Sequence, residues 1–180
     1  MKHMLDNLYE CATHPRGLIR AYTSGLSLDY YCRFLMAKEW GNQWHWYIPR
    51  GGLEGKTVLD IGAGCGETTY LFLEHGAKEV IAIEPDLKRV AMFRRNMWRF
   101  NWKATLYGRR FEPSDLDIPH DFLKADMEGY EQLMLDRPEK IRPCTLEVHT
   151  HYLRERFEVL GFRQVETIDK GVGKGLMINW

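Results

Sequence analysis

The stretch Val58-Leu59-Asp60-Ile61-Gly62-Ala63-Gly64-Cys65-Gly66, taken with Glu79-Val80-Ile81-Ala82-Ile83-Glu84 downstream, decides the fold. Thr57 to Ile61 is β-branched and apolar, the pattern of a buried parallel strand. Glycines at alternate positions then let the backbone turn tightly and approach a ligand before a helix begins. A dinucleotide fingerprint needs glycine at the first, third and sixth positions, and the sixth is Glu67 here, so the NAD pattern fails. Asp60 is expected at the carboxyl end of its strand, where a pyrophosphate would be repelled and a ligand ammonium attracted. Glu84 closes the second strand, where such folds bind ribose hydroxyls. S-adenosylmethionine carries the ammonium and the ribose but no phosphate. It is therefore the expected cofactor, held by Asp60, Gly62, Ala63, Gly64, Gly66, Glu84 and Pro85, with Asp126 beside the methyl.

A chain of 180 residues suits one α/β domain, here an aromatic N-terminal extension over 1–50 packed on a core over 51–180. Lysine plus arginine is 25 and aspartate plus glutamate is 25, so no bulk charge draws the chain to nucleic acid or membrane, and any such attraction is local. Cys11, Cys32, Cys65 and Cys144 form no C-x-x-C pair, which argues against a zinc knuckle and a disulfide framework. No uninterrupted apolar run is long enough to span a bilayer, and the first residues lack a leader's apolar stretch. The expectation is a soluble, cytoplasmic protein with no membrane partner.

Strand-like and helix-like periods alternate from residue 57 onward. Strands are expected near 57–62, 79–84, 104–107, 120–127 and 144–149, with helices near 66–75, 86–100, 130–135 and 152–160. The tail alternates Phe162, Val165, Ile168 and then Leu176, Ile178, Trp180 around a glycine-rich turn, the pattern of a final hairpin. The expected fold class is α/β: a Rossmann-like, mostly parallel seven-stranded sheet, helices on both faces, ending in an antiparallel hairpin. By analogy this is the layout of class I methyltransferases. The link 108–119, with Pro113 and Pro119, leaves little room for a helix between the third and fourth strands.

Ligands of open parallel sheets bind beyond the carboxyl ends of the strands. The fourth strand ends at Asp126-Met127-Glu128-Gly129, which makes Asp126 the first catalytic candidate and Glu128 the second; both acids could instead cap the next helix. Period-two alternation puts Glu147, His149 and His151 on one side of the fifth strand if it extends that far, with His149 a candidate general base. The same three residues resemble a metal-ligand set, but the spacing is common and no second cluster supports it, so no metal is expected.

Lys124-Ala125-Asp126-Met127-Glu128-Gly129-Tyr130-Glu131, followed by Leu146-Glu147-Val148-His149, resembles the K-I-D-V-E-G-x-E and L-E-x-H segments of FkbM-like S-adenosylmethionine-dependent methyltransferases. With the glycine turn, the likeness spans roughly residues 57–168. It implies O-methylation of a hydroxyl on a sugar, polyketide or similar small molecule, with Asp60, Gly62, Gly64 and Glu84 at the cofactor and Asp126 and Glu128 near the methyl. Ala125, Met127 and the short 108–119 link depart from the pattern. The alternative is a nucleic-acid methyltransferase gripping RNA through Lys88, Arg89, Arg94, Arg95, Arg99, Lys103, Arg109 and Arg110, interleaved with Phe93, Trp98 and Trp102. Against it stands the absence of an Asn/Asp-Pro-Pro-aromatic loop after the fourth strand, and Cys144 lies at the start of its strand, the wrong edge for a nucleophile. A non-catalytic module is the third reading, with Tyr30, Tyr31, Phe34, Trp40, Trp44, Trp46 and Tyr47 forming a lid, binding a second subunit or packing on the sheet.

Overall fold

A computed structural model describes residues 46–141, 143–169 and 174–179, with the backbone alone at 99 and 166–169. The expected extension therefore falls outside the described residues up to 45, together with Tyr30, Tyr31, Phe34, Trp40 and Trp44.

Seven strands form one sheet: β1 (Thr57–Ile61), β2 (Glu79–Ile83), β3 (Ala104–Tyr107), β4 (Phe122–Asp126), β5 (Cys144–Val148), β6 (Arg163–Asp169) and β7 (Lys174–Asn179), in the order β3-β2-β1-β4-β5-β7-β6. All neighbours are parallel except β7, which runs antiparallel between β5 and β6. The chain builds outward from β1 through β2 to β3 and then crosses back to lay β4 against the other side of β1. The switch point thus falls at the carboxyl ends of β1 and β4, where open α/β sheets present a crevice.

Helices α1 (Glu67–Glu74), α2 (Leu87–Phe100) and α3 (His151–Val159) cover the sheet. Alternation along the strands decides which face each helix meets. Val58, Val80 and Phe122 point to α1, whose Leu71 and Phe72 pack with them and with Tyr47 and Leu53, while Ala82 meets Phe93 of α2. Leu59, Ile61, Leu123, Ala125, Leu146 and Val148 point the other way, onto Leu153 and Phe157 of α3. Asp86 starts α2 by accepting the amide N–H groups of Lys88 and Arg89 (2.8 and 2.9 Å), and Thr150 starts α3 by accepting that of Leu153.

The crossover between β3 and β4 holds only a 3₁₀ turn, Pro113–Asp117, so the short link is trimmed as its length implies. It is pinned at both ends by ion pairs, Arg109 to Asp115 within the link and Arg137 to Asp117 across to the next one (2.8 Å each). Hydrogen bonds from Arg137 and Lys140, with their charges, hold the Asp117 carboxyl down at about 2. Residues 130–135, expected as a helix, form a 3₁₀ turn, Tyr130–Met134.

Register places one charge pair in the middle of the sheet. Asp60 of β1 lies beside Lys124 of β4, both side chains buried, with Lys124 Nζ 3.3 Å from Asp60 Oδ1. The other Asp60 oxygen accepts the hydroxyls of Thr68 and Thr69 at the start of α1 (2.7 and 2.9 Å). Removing one partner of a buried pair strands the other charge, at a cost of about 3–5 kcal/mol. Lys124→Met is expected to lower the chemical-denaturation midpoint accordingly, and the double variant Asp60→Asn/Lys124→Met to recover most of the loss. An unchanged midpoint in the single variant would show that this pair does not hold the strand tips together.

Candidate active site

The glycine turn is fastened on three sides. Lys124 Nζ donates to the Gly62 carbonyl (2.8 Å) from β4. Glu84, buried at the end of β2, accepts the Gly64 amide on one oxygen and the Asp86 amide on the other (2.9 Å each). Glu67 folds back to accept the Cys65 amide (2.8 Å), and Asn96 of α2 donates to the Cys65 carbonyl (2.9 Å). Gly62 sits at φ 72°, and a Cβ there would lie 1.7 Å from the Asp126 carbonyl oxygen, so the turn is pressed against the tip of β4 with no room for a side chain. Of the expected cofactor residues, Gly62, Ala63, Gly64, Gly66, Glu84 and Pro85 all lie on this turn or at the tip of β2 beside it.

Asp60 behaves differently from the expectation. Its carboxylate is fully buried and the cation it meets is Lys124, not a ligand ammonium. The charges of Asp60, Asp126 and Glu147 raise the Lys124 pKa against the burial that alone would lower it. Asp60 shapes the turn through Lys124 and α1. Lys124 escaped sequence reasoning, although a lysine between Leu123 and Ala125 in a buried strand carries its own signal, because such a charge is found only where it is paired.

The tips of β4 and β5 assemble a second group. His149 stands at its centre, with side-chain exposure of 11%. Its Nδ1 is 2.8 Å from Glu131 Oε1, and its Nε2 is 3.4–3.6 Å from oxygens of Asp126, Glu128 and Glu147. Glu131 is wholly buried, and the same Oε1 accepts the Met127 and Gly129 amides (3.0 and 3.2 Å), so Nδ1 is the donor toward it. Glu128 reaches His149 because its backbone adopts φ 51°, a left-handed conformation uncommon for a residue with a side chain. Asp126 and Glu128 make no helix cap: Gly129 occupies that position, and the acid that satisfies the turn is Glu131. Lys174 at the start of β7 lies 2.5 Å from Glu147, and the Tyr47 hydroxyl donates to the same carboxylate (3.3 Å).

Burial lowers the His149 pKa, but the Glu131 hydrogen bond and the Glu131 and Asp126 charges outweigh it and raise it overall. Glu147 is raised as well, by burial and by Asp126, in spite of Lys174. His151 is exposed and lies in α3, because β5 stops at Val148 and Thr150 starts the helix, so it does not share a face with Glu147 and His149. Cys144 is the first residue of β5 and buried, at the edge opposite the crevice.

Beside the crevice, Arg109 stacks over Tyr107 (5.3 Å to the ring centre) and Arg110 over Tyr130 (5.5 Å) while donating to its hydroxyl (3.0 Å). The outer face of α2 exposes Leu87, Lys88, Arg89, Ala91, Arg94, Arg95 and Trp98, and Trp98 is 83% exposed. Phe93, by contrast, is core, and Trp102 packs on it edge-on. A shallow cavity of about 370 Å³ lined by Lys78, Glu79, Trp102 and Lys103 lies where β2 and β3 begin.

No protein-family model matches the chain. Over 98 residues it is 33% identical to the tRNA U34 carboxymethyltransferase of Pseudomonas fluorescens (strain Pf-5), covering 52% of this chain and 27% of that protein. Over 79 residues it is 39% identical to the ribosomal RNA small subunit methyltransferase A of Rhizobium etli, covering 44% of this chain and 25% of that one. The chain thus spans about a quarter of the length of these curated relatives. Among solved structures it is similar to a candidate RNA methyltransferase from Pyrococcus horikoshii, at 25% identity and TM-score 0.51 with 63% of each chain covered. The C-terminal domain of precorrin-6Y C5,15-methyltransferase from Rhodobacter capsulatus, at 16% identity, TM-score 0.57 and 79% and 84% coverage, shares the fold. Strand order, glycine turn and these likenesses agree: the chain has the Rossmann-like α/β fold of class I S-adenosylmethionine-dependent methyltransferases.

Proposed function

We propose that the chain is an S-adenosylmethionine-dependent methyltransferase domain whose acceptor is RNA. The cofactor supplies a methyl on positively charged sulfur, already activated for transfer. The residues present fit it: the glycine turn offers backbone in place of side chains at the switch point, as the Gly62 contact with β4 requires. The Glu84 carboxylate at the tip of β2 keeps an unused lone pair on each oxygen, which suits ribose hydroxyls. Gly62, Ala63, Gly64, Gly66, Glu84 and Pro85 would hold the cofactor, with Asp60 acting from behind the turn. What remains for the protein is alignment of the acceptor and reception of its proton. Asp126, at the tip of β4 and partly exposed, is the group placed for the second task. Because Glu128 and Glu147 stand beside it, a neutral methyl is favoured there over an anionic carboxymethyl group.

The observation that carries RNA as the acceptor is Trp98, standing clear of α2 beside Arg94 and Arg95, with Lys88 and Arg89 on the same exposed side toward the crevice. Bare aromatic faces beside cationic side chains bind single-stranded nucleic acid by stacking and charge, and an isolated Trp at such exposure has no packing role. The tyrosine–arginine stacks at Tyr107 and Tyr130 extend the same chemistry along the rim. The matched relatives named for tRNA and rRNA modification support this reading over the small-molecule hydroxyl acceptor that the FkbM-like resemblance implies.

Incubation of the full chain with methyl-labelled S-adenosylmethionine and, in parallel, unmodified tRNA, ribosomal RNA, ribosomal protein and a hydroxyl-acceptor panel tests the proposal. Ribonuclease-sensitive label is expected; label confined to protein or to small molecules overturns it. Arg94→Ala/Arg95→Ala should weaken RNA binding and reduce the magnitude of its log–log salt slope by about 2, and Trp98→Ala should cost about 1–3 kcal/mol of RNA affinity without changing cofactor affinity. Asp126→Asn is expected to lower kcat by about 10²–10⁴-fold while cofactor affinity changes far less; equal losses in both would remove Asp126 from the proton's path.

A further inference from the structure

His149 presents an imidazole nitrogen, Nε2, that makes no hydrogen bond among the described residues. Its Nδ1–H is committed to Glu131 at 2.8 Å, which fixes the tautomer and ring orientation and leaves Nε2 to face the tips of β4 and β5. Nε2 is inaccessible to solvent and has no hydrogen-bond partner among the described residues. The same is true of Asp126 Oδ1, which lies 3.5 Å away, and of Glu131 Oε2 on a side chain with no exposed surface. Glu147, nine-tenths buried, directs Oε1 to 3.6 Å from Nε2. Buried nitrogen and oxygen atoms are nearly always satisfied, so two unpartnered atoms 3.5 Å apart, His149 Nε2 and Asp126 Oδ1, indicate a missing partner.

Donor atoms from Asp126, Glu147 and His149 all lie within 4.8 Å of one another. A carboxylate behind a histidine, with the far ring nitrogen turned toward further carboxylates, is the arrangement by which proteins orient an imidazole for a metal ion. Buried Glu131 supplies that outer carboxylate. From this geometry we infer that Asp126, Glu147 and His149 form a divalent-cation site at the tips of β4 and β5, with Glu131 positioning His149. Two oxygens and one imidazole suit a first-row ion such as Mn²⁺ or Fe²⁺ better than a soft one, and among the described residues no cysteine joins the group, Cys144 being at the other end of β5. Three protein donors leave coordination positions open for an oxygen or nitrogen of a substrate. Lys174 lies 2.5 Å from the same Glu147 Oε1, so an ion bound there would take over that oxygen from the ammonium. The spacing Glu147, His149, His151 pointed to a ligand set in which the third member is wrong: α3 carries His151 away, and Asp126 arrives from the neighbouring strand.

The site does not depend on methyl transfer or on RNA, and its test uses neither. The full chain is titrated with Mn²⁺ alone, and free Mn²⁺ is followed by electron paramagnetic resonance. About one ion per chain is expected with a dissociation constant on the order of 10⁻⁵ M, and wild-type protein that leaves the free signal undiminished up to about 1 mM overturns the proposal. Asp126→Asn and Glu147→Gln should each weaken binding by at least about tenfold, and Glu131→Gln by about 10–100-fold through the loosened imidazole, with thermal melting showing each variant folded. Wild-type affinity in folded Asp126→Asn and Glu147→Gln would place the ion elsewhere and also overturn it. Methyltransfer to RNA can fail while Mn²⁺ binds, and the reverse, so the two readings are separable.

Discussion

The buried contact between Asp60 and Lys124 is the constraint on which the rest of this protein depends. It joins the two strands that border the switch point, and Lys124 extends past Asp60 to the Gly62 carbonyl. Taking two charges out of water is costly, and a well-packed apolar pair would hold the strands at least as firmly. What the ion pair adds is direction. It sets the height of the glycine turn relative to β4, and through Thr68 and Thr69 the angle at which α1 leaves it.

That placement organises the site into two halves of different character. Around the turn, carboxylates serve the backbone: Glu84 and Glu67 accept amides of the loop itself, so their charge is spent on preorganisation. Around His149, carboxylates converge on a single ring, with the Lys174 ammonium against one of them. A proton on the imidazole or a divalent ion beside it would balance them. The first half suits holding a ligand still, the second suits managing charge that changes during a reaction.

Much of this was legible in the chain. The glycine turn after an apolar strand and the second strand ending in Glu84 pointed to the fold, and the final hairpin completed the strand order, because patterns of period two and tight turns are local in sequence. The site was only half legible. Asp60, Asp126, Glu128 and His149 were singled out by position at strand ends, yet their partners depended on inter-strand register, which no local pattern encodes. Asp60 therefore looked available to a ligand when β4 already supplied Lys124. His151 looked aligned with His149 because alternation was carried past Val148, where Thr150 captures the Leu153 amide and turns the chain into α3. Glu131 closes the Lys124–Glu131 segment but gave no sign that it meets His149, and Lys174 joins the site only through pairing of β5 with β7. No described helix is long and apolar enough to cross a membrane.

The reversed direction of β7 has a consequence for biosynthesis. A parallel strand in that place would bring its far end, Asn179, to the tip of β5; running antiparallel, β7 brings its first residue instead, and Val148 pairs with Gly175 next to Lys174. A nascent polypeptide that has emerged from the ribosome only through β5 therefore carries the acids at the tips of β4 and β5 without the ammonium that offsets one of them. Glu147 gains that partner only when residue 174 pairs into the sheet, so closure of the sheet and charge compensation at these strand tips become a single event.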